Sequence, residues 1–527
     1  MSNKQGIVFK IDELKDGEMK QATIDGTDVL VARVNGKFHA LAAHCTHYGA
    51  PLADGVLNGE RIVCPWHHAC FNVTTGDREE PPALDALPCF DVKVDGENVV
   101  VSFPDPVTDR RTPTMVKRDP SNKRVFAIIG GGAAGYSAAQ TLREDGFGGR
   151  VVMITREDKL PYDRPNLSKE YLQGKAESEW MPLRPDEFYA EHDIEVLRHK
   201  EVVNVDSANK IIGFKDGDTL QYDSLLIATG GVPRRVDTPG SDLKNVFLLR
   251  SFNDADAIIA KAKEATNAVV IGASFIGMET AASLVERKVS VTVVAPDDVP
   301  FKKTLGPEIG KLLQQVHQDK GVKFKLGSRA ARFEGNDAVR AVVLNSGEYI
   351  EADLVIIGVG VKPATDFLQG IPLHKDRGVI VDKHFRVADG LYASGDIAWF
   401  PSAQTGELQR IEHWRTALQQ GRIAAHNMSG KTVEYDGVPF FWTNQFDAAL
   451  VYVGRASGWD EIIYHGGVSA RDFLAFYLKD NRVQAVAGMT RDRDMAALEE
   501  LMRLNKMPSV ERLKTGKVDF LEVMNGA

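Results

Sequence analysis

Four residues near the N-terminus have the types and spacing for metal chemistry. Cys45 and His47 share one short stretch and Cys64 and His67 a second, with sixteen residues between His47 and Cys64. Two thiolates and two imidazoles on two loops could hold a zinc ion or a two-iron, two-sulfur cluster. Structural zinc sites usually space their ligands as Cys-x2–4-Cys and His-x3–5-His. Here each loop supplies one cysteine and one histidine. That suits a cluster with one iron on two cysteines and the other on two histidines. His44 and His68 flank these residues but break the spacing, so they read as loop residues; Cys70 and Cys89 read as free thiols.

A second chemistry lies in glycine. Val125-Phe-Ala-Ile-Ile reads as a buried strand, and it runs into Gly130-x-Gly132-x-x-Gly135 before a helical stretch, Tyr136–Arg143. In that context Gly130 allows the tight turn, Gly132 lets backbone approach a pyrophosphate, and Gly135 lets helix and strand pack closely. The helix start offers phosphate its unpaired amides and positive dipole end. A following strand, Arg150–Thr155, leads to Glu157, 22 residues past Gly135, near the spacing at which a carboxylate takes ribose hydroxyls. The pattern recurs at Ala268-Val-Val-Ile-Gly272-Ala-Ser274-Phe-Ile-Gly277, with serine in the middle, a helix to about Arg287 and a strand over Val289–Val294. That strand meets Ala295, then Asp297 and Asp298, then Lys302 and Lys303. Acids there favour a free ribose 2′-hydroxyl and bases a 2′-phosphate, so NADH and NADPH both stay open. Glu279, two residues past Gly277, reads by itself as a helix-start acid favoured by the dipole; the family resemblance given below offers an active-site role with equal weight.

The elements that must position these residues divide the chain. Residues 1–105 hold short alternating runs (Ala22–Ile24, Val29–Val34, Phe38–Leu41, Arg61–Cys64, Val99–Phe103) with turns at Asn35-Gly36 and Asp95-Gly96, the pattern of a small antiparallel β domain. Residues 106–122 carry prolines, charges and no period and read as a linker. Residues 123–245 and 375–435 read as one dinucleotide-binding domain, with 246–374 inserted as a second. Tyr222–Gly231 closes on Ala228-Thr229-Gly230, Leu354–Gly360 ends the insert, and Leu391-Tyr-Ala-Ser-Gly395-Asp396 resumes the first domain, with a helix over Thr416–Met428. Residues 436–527 read as an α+β domain, with strands at Leu450–Val453, Phe473–Leu478 and Val483–Gly488 and a helix at Ala496–Leu504.

The cysteine loops, His44-Cys-Thr-His-Tyr-Gly-Ala-Pro-Leu52 and Cys64-Pro-Trp-His-His-Ala-Cys-Phe-Asn72, resemble the Rieske family. That resemblance implies a [2Fe–2S] cluster on Cys45, His47, Cys64 and His67. High-potential members add a disulfide at positions matching Ala50 and Trp66, and hydroxyls near sulfur and ligand at positions matching Ala69 and Phe71. Fewer hydrogen bonds to sulfur leave the reduced, more negative cluster less stabilised. The expected potential is therefore near the low end of the Rieske range, roughly −150 mV; a strongly positive midpoint in a redox titration would refute it.

Leu160-Pro-Tyr-Asp-Arg-Pro-Asn-Leu-Ser-Lys169 resembles the flavoprotein reductases of the apoptosis-inducing-factor and oxygenase-reductase family. The resemblance implies FAD on the Gly130–Gly135 fold and Glu157, with Arg164 near the pyrophosphate and Lys169 beside the flavin N5. It places Ala228-Thr229-Gly230 near the flavin, Gly395-Asp396 on the ribityl chain, and His413-Trp414 at the helix start aimed at the ring. NAD(P)H would sit on Gly272, Ser274, Gly277 and Gly360, with Glu279 paired to Lys169 near the nicotinamide. Trp442, in Val438–Gln445, would lie near the flavin, and the C-terminal domain would contribute to a homodimer. Over nearly its whole length the chain looks like the Rieske-containing branch of the apoptosis-inducing-factor-like flavoproteins. The expected function is an NAD(P)H-dependent reductase passing electrons through FAD to its own cluster and on to a redox protein or oxygenase. The alternative is a redox-sensing flavoprotein with NAD(P)H-controlled dimerisation and little turnover.

Totals narrow the field. A chain of 527 residues implies several domains. All four cysteines precede residue 90, which argues against a secreted disulfide framework and against a disulfide or peroxide reductase, which needs a cysteine beside its flavin. A net charge of −9 argues against nucleic acid or an anionic membrane as partner. Residues 1–105 hold nine Lys and Arg against sixteen Asp and Glu, read either as solvated surface or as an acidic face for a basic redox partner. No apolar run reaches the roughly 18 residues of a membrane span, and Met1–Lys10 has no apolar signal core. A cytoplasmic location is the expectation.

Overall fold

The computed structural model describes residues 2–526. The N-terminal part is a pair of antiparallel sheets. A six-stranded sheet runs in the order Ser2–Lys10, Asn98–Asp105, Cys89–Asp95, Lys37–Ala42, Thr27–Val34, Met19–Ile24. A four-stranded sheet is formed by Val56–Asn58, Arg61–Val63, Cys70–Asn72 and Arg78–Glu80. Asn35 and Gly36 both take positive φ, 53° and 75°, as a two-residue hairpin turn requires. The two cysteine–histidine loops sit at the small sheet, one leading into it and one joining two of its strands.

Two parallel sheets follow. The first is ordered Ile194–Leu197, Arg150–Ile154, Val125–Ile129, Ser224–Ile227, Leu391–Ala393, with Arg386–Ala388 antiparallel at its edge. Leu391–Ala393 pairs with Ser224–Ile227 across the whole insert. The second sheet is parallel throughout, ordered Val246–Leu248, Leu354–Ile357, Asn267–Ile271, Ser290–Ala295, Lys323–Leu326. Their central strands are apolar on both faces because both are covered: in the second sheet Val270, Val293 and Ile356 pack on helices, and Val269, Val294 and Ile357 pack on the small sheet carrying Phe333 and Val342. Two small antiparallel sheets, Val202–Gln221 and Ala330–Glu351, were not anticipated from the sequence. Their outer strands are short and largely exposed, so their apolar period is weak, while the central strand Val339–Leu344 is mostly buried.

The C-terminal part is a five-stranded antiparallel sheet ordered Phe440–Gln445, Ala448–Gly454, Arg482–Met489, Asp472–Lys479, Glu461–Gly467, backed by helix Asp492–Arg503. Two of its strands, Phe440–Gln445 and Glu461–Gly467, and the short helices Val510–Lys514 and Phe520–Met524 escaped the sequence reading. Among the described residues no helix is long and apolar enough to cross a membrane.

The N-terminal domain is packed down, not tethered. Val56, Val63 and Cys70 of its small sheet share one apolar core with Phe440, Val451, Leu498 and Leu501 of the C-terminal domain. Asp85 meets Arg184 at 2.6 Å and Arg78 meets Glu144 at 3.0 Å. Glu80 accepts from Gln419 at 2.7 Å. Part of the acidic excess of residues 1–105 therefore faces arginines of the same chain. Even the segment read as a free linker is tied in: Arg111 and Ala86 exchange two backbone hydrogen bonds, and Val116 N–H reaches Arg143.

Candidate active site

The two ligand loops are built alike. Cys45 N–H donates to Ala50 O at 2.8 Å and Cys64 N–H to Ala69 O at 2.9 Å, so each loop is pinned five residues after its cysteine. The thiols of Cys45 and Cys64 hydrogen-bond to each other, and each sulfur faces two backbone N–H groups, from His47 and Tyr48 in one loop and Trp66 and His67 in the other. Burial opposes charge on Cys64, yet the Cys45 hydrogen bond and those amides draw its thiol down. The same thiol pair holds Cys45 up. His47 Nδ1 and His67 Nδ1 lie 3.2 Å apart. Burial keeps His47 neutral, at about 3, and pushes His67 down as well. Two paired thiols with N–H donors, opposite two neutral imidazole nitrogens, fit the donor set of a two-cysteine, two-histidine [2Fe–2S] site. Ala50, Ala69 and Phe71 are buried and Trp66 is 41 % exposed. His68 is fully buried and bonds Glu499 of the C-terminal helix.

Both glycine turns have the expected construction. Gly130 has φ +126°, and a Cβ there would meet Ala228 O at 2.1 Å; at Gly135 it would meet Gly130 O at 1.9 Å. A Cβ on Gly132 would meet nothing, leaving room for a ligand's backbone approach. The helix Ala133–Glu144 starts there with no side-chain cap, so its first amides are free for phosphate. Gly272 (φ +110°) and Gly277 repeat the pattern against Gly358 O and Gly272 O. Ser274 caps the second helix, Phe275–Glu286, with its hydroxyl 3.4 Å from Gly358 O. Gly360, at φ +94°, faces open space.

Around the first turn, Glu157 accepts from Tyr162 at 2.6 Å and Arg164 at 2.9 Å. Arg250 pairs with Asp396 at 2.8 Å beside Gly230. Thr229 donates to Ala364 O, and Gly395 N–H donates to Gln420. Helix Trp414–Met428 begins two residues earlier than its periodicity suggests, with His413 at its cap. Buried side-chain atoms without a protein partner gather here: Ser394 Oγ, His413 Nδ1, Thr416 Oγ1 and Gln420 Nε2. Orphaned buried polar atoms call for a partner, so the cradle fits a bound flavin nucleotide. Burial holds His413 neutral, at about 4.

Lys169 donates to Glu279 at 2.9 Å, with both side chains under a tenth exposed. Ser168, at 2.5 Å, and Thr443, at 2.7 Å, also donate to that carboxylate. Glu279 is thus no helix-start acid: it lies in the second turn of a helix beginning at Phe275 and reaches into the junction with the C-terminal sheet. Ser168 and Thr443 were missed from the sequence, where neither hydroxyl stands out. Also missed was Glu499, which accepts from buried Arg415 at 2.6 Å as well as meeting His68. Its signal was present: Glu499 and Glu500 lie among Met495, Leu498, Leu501 and Met502 on a helix packed inward.

The halves meet at one cleft of about 190 Å³, whose lining includes Tyr48, Trp66, His67, Lys169, Trp442 and Asn444. Trp442 stands against His67, ring centroids 4.5 Å apart. Tyr48 stacks on His47 at 4.0 Å and donates its hydroxyl to Asp163.

Comparison with known proteins agrees with this layout. Residues 4–91 match the Rieske [2Fe-2S] domain family, 125–421 the pyridine nucleotide-disulphide oxidoreductase family, and 440–524 the reductase C-terminal family. Human apoptosis-inducing factor 3 is 39 % identical over 510 residues, 94 % of this chain and 84 % of the relative. Rhodocoxin reductase of Rhodococcus erythropolis is 33 % identical over 72 % of this chain and 89 % of its own. Among solved structures, a covalent putidaredoxin reductase–putidaredoxin complex superposes with a TM-score of 0.73 at 29 % identity, over 77 % of this chain and 99 % of that one. A ferredoxin reductase from Rhodopseudomonas palustris gives 0.71 at 31 % identity, over 75 % and 100 %. The chain therefore belongs to the pyridine nucleotide-disulphide oxidoreductase family, in the branch of FAD- and NAD(P)H-dependent, ferredoxin-reductase-type flavoproteins that carry an N-terminal Rieske [2Fe-2S] domain.

Proposed function

We propose that this protein moves electrons from NAD(P)H through FAD to its own Rieske cluster and from there to an external redox protein or oxygenase. The nicotinamide supplies a hydride, the flavin converts two electrons into single ones, and the cluster takes one at a time. The observation that carries the reading is the shared cleft: cluster-ligand candidate His67 and the Lys169–Glu279 pair line or border the same small space. The relatives named as reductases of rhodocoxin and of ferredoxins support the same direction of transfer.

The chain's residues have separable tasks. Cys45, Cys64, His47 and His67 hold the cluster. Gly130, Gly132, Gly135, Glu157, Arg164, Ala228, Thr229, Gly230, Gly395, Asp396, His413 and Trp414 cradle FAD. Gly272, Ser274, Gly277 and Gly360 receive NAD(P)H. Lys169 sets a positive charge beside the flavin, and Glu279, fixed by Ser168 and Thr443, holds that lysine in place. The strand Phe440–Gln445 lines the cleft with Trp442 and Asn444. The domain limits 1–105, 123–245 with 375–435, 246–374 and 436–527 follow these tasks.

The test is an anaerobic mixing experiment. Adding NADH or NADPH to purified holoenzyme should bleach the flavin and then develop the rhombic signal of a reduced Rieske centre. Flavin bleaching with a cluster that stays oxidised overturns the route, as does a preparation that carries zinc in place of iron.

A further inference from the structure

We propose that Glu499, on the C-terminal helix Asp492–Arg503, is a positioning residue for the second ligand loop of the cluster and acts through His68. The inference rests on the ligand assignment proposed above. The two loops differ at a corresponding place. Each closes with a backbone hydrogen bond, Cys45 N–H to Ala50 O and Cys64 N–H to Ala69 O. In each, the residue before the closing alanine takes positive φ. In the first loop it is Gly49, at +76°; in the second it is His68, at +55°. Glycine adopts this left-handed backbone freely, and a residue with a side chain rarely does. A Cβ on Gly49 would meet nothing, so the first loop carries no anchor there. The second loop has a side chain where the backbone favours none, and that side chain is fully buried against the C-terminal domain.

What holds His68 comes from 431 positions away. Glu499 Oε2 accepts from His68 Nδ1, while His68 Nε2 has no partner among the described residues. Phe440 covers the ring, with centroids 4.4 Å apart. Glu499 is itself fixed: its other oxygen accepts from Arg415 at 2.6 Å, and Arg415 donates to Pro81 O at 2.9 Å. The next residue of the helix grips the other end of the loop. Glu500 accepts from Asn58 at 2.9 Å and from Arg61 at 3.1 Å. Arg61 opens the strand Arg61–Val63, which runs directly into Cys64. The loop Cys64–Ala69 is thus held between consecutive glutamates of a helix in another domain.

The consequence falls on the ligands. The φ rotation of His68 turns the peptide plane that it shares with His67. Relaxation of His68 to negative φ would rotate that peptide and break the bond from Cys64 N–H to Ala69 O. It would also displace the His67 ring and the amides of Trp66 and His67 that face the Cys64 sulfur. A sparsely populated backbone conformation persists only where its surroundings over-determine it, and groups outside the ligand set orient the ligands they support. Here that support is Glu499, delivered through a residue that is not itself a ligand.

Full-length holoenzymes carrying His68→Gly and His68→Ala test this first. Both leave the Glu499–Arg415 pair intact and empty the same imidazole space; they differ in the backbone that residue 68 prefers. Each is read by the paramagnetic spectrum after dithionite reduction and by the rate at which an iron chelator bleaches the cluster. His68→Gly should match wild type in both. His68→Ala should show an altered spectrum and lose its cluster about tenfold faster. The paired substitution Glu499→Leu with Arg415→Met removes the anchor without stranding a buried charge and should behave as His68→Ala does. Added to His68→Gly, the same pair should change nothing further, because the residue through which Glu499 acts is gone. Should the paired variant fail to retain FAD as well as iron, the two His68 variants decide alone. Glycine and alanine variants that behave alike, a paired variant with the wild-type spectrum and chelator resistance, or a further loss on the glycine background overturns the anchor and leaves the ligand assignment standing. Wild-type protein that carries no iron overturns both.

Discussion

The glycine turns at Gly130 and Gly272 share a backbone and differ in what is built on it. In each, a glycine with strongly positive φ crosses a neighbouring carbonyl, and a second glycine lets the helix sit on the turn. Beyond that the two units part. The first helix sends Gln140 and Glu144 outward to the Rieske domain, to Leu84 O and Arg78. The second carries Glu279 into the junction with the C-terminal sheet, at the place where the first has Ser137. After the first unit's second strand, Glu157 is held by Tyr162 and Arg164. After the other's, Ala295 is followed by Asp297 and Asp298, which pair with Lys303 and Lys302 at an exposed edge. The motif fixes the phosphate end of a nucleotide site, and the surroundings fix everything that distinguishes one nucleotide from another.

The largest effect expected from breaking this contrast is at Glu279. Glu279→Ala strands Lys169 in the interior, and loss of one partner of a buried pair costs about 3–5 kcal/mol. Ser137→Ala, at the matching place of the first helix, should cost under about 1 kcal/mol. Denaturant midpoints of the two variants make the comparison, and equal losses would mean that the junction does not depend on the ion pair.

The cover over the cluster loops predicts a pH signature. Burial opposes ionisation of Glu499, but Arg415 and then His68 hold its carboxyl down to about 2, against a usual 4.5. A carboxyl depressed on folding stabilises the fold above its unfolded value, and that contribution fades as pH falls through the folded value. Wild type should therefore exceed Glu499→Gln by about 3 kcal/mol from pH 8 down to about 5, with the gap closing toward pH 2. Thermal melts of both proteins across that range measure it; a gap that widens on acidification contradicts the assignment.

Next in size is the turn itself. Gly135→Ala and Gly277→Ala put a Cβ at 1.9 and 2.2 Å from backbone oxygens, so each should lose about 1–3 kcal/mol. Gly132→Ala meets nothing in the protein. It should leave the apoprotein within about 0.5 kcal/mol and show itself as lowered FAD content per chain. The smallest effect is at the ribose edge. Ala295→Glu restores an acid where the second unit lacks one and should shift the NADH-to-NADPH ratio of kcat/KM about tenfold toward NADH, roughly 1.4 kcal/mol.

Much of this was legible beforehand because it is written in local sequence. Cys45-x-His47 and Cys64-x-x-His67 mark candidate metal ligands by type and spacing, and Gly130-x-Gly132-x-x-Gly135 marks a strand–turn–helix. Less legible were residues whose partners lie far along the chain. Thr443 reaches Glu279 across 164 positions and His68 reaches Glu499 across 431. Nothing local marks a threonine in a strand as a carboxylate's donor, and His68, read as a loop residue, is the fully buried end of an ion-paired junction. The strand Phe440–Gln445 was hidden because three aromatic residues are followed by three polar ones, Thr443, Asn444 and Gln445, so it lacks the alternation that marks a half-buried strand.

The order of domains, the two cysteine–histidine pairs as candidate cluster ligands and the two glycine turns were read from the sequence alone, since their motifs each lie within a few consecutive residues. The tertiary structure decided where the Rieske domain sits, that Trp442 lies on His67, and that Lys169 and Glu279 form one buried pair. Those facts depend on packing between surfaces hundreds of residues apart, where shape and charge complementarity, not local spacing, choose the partner.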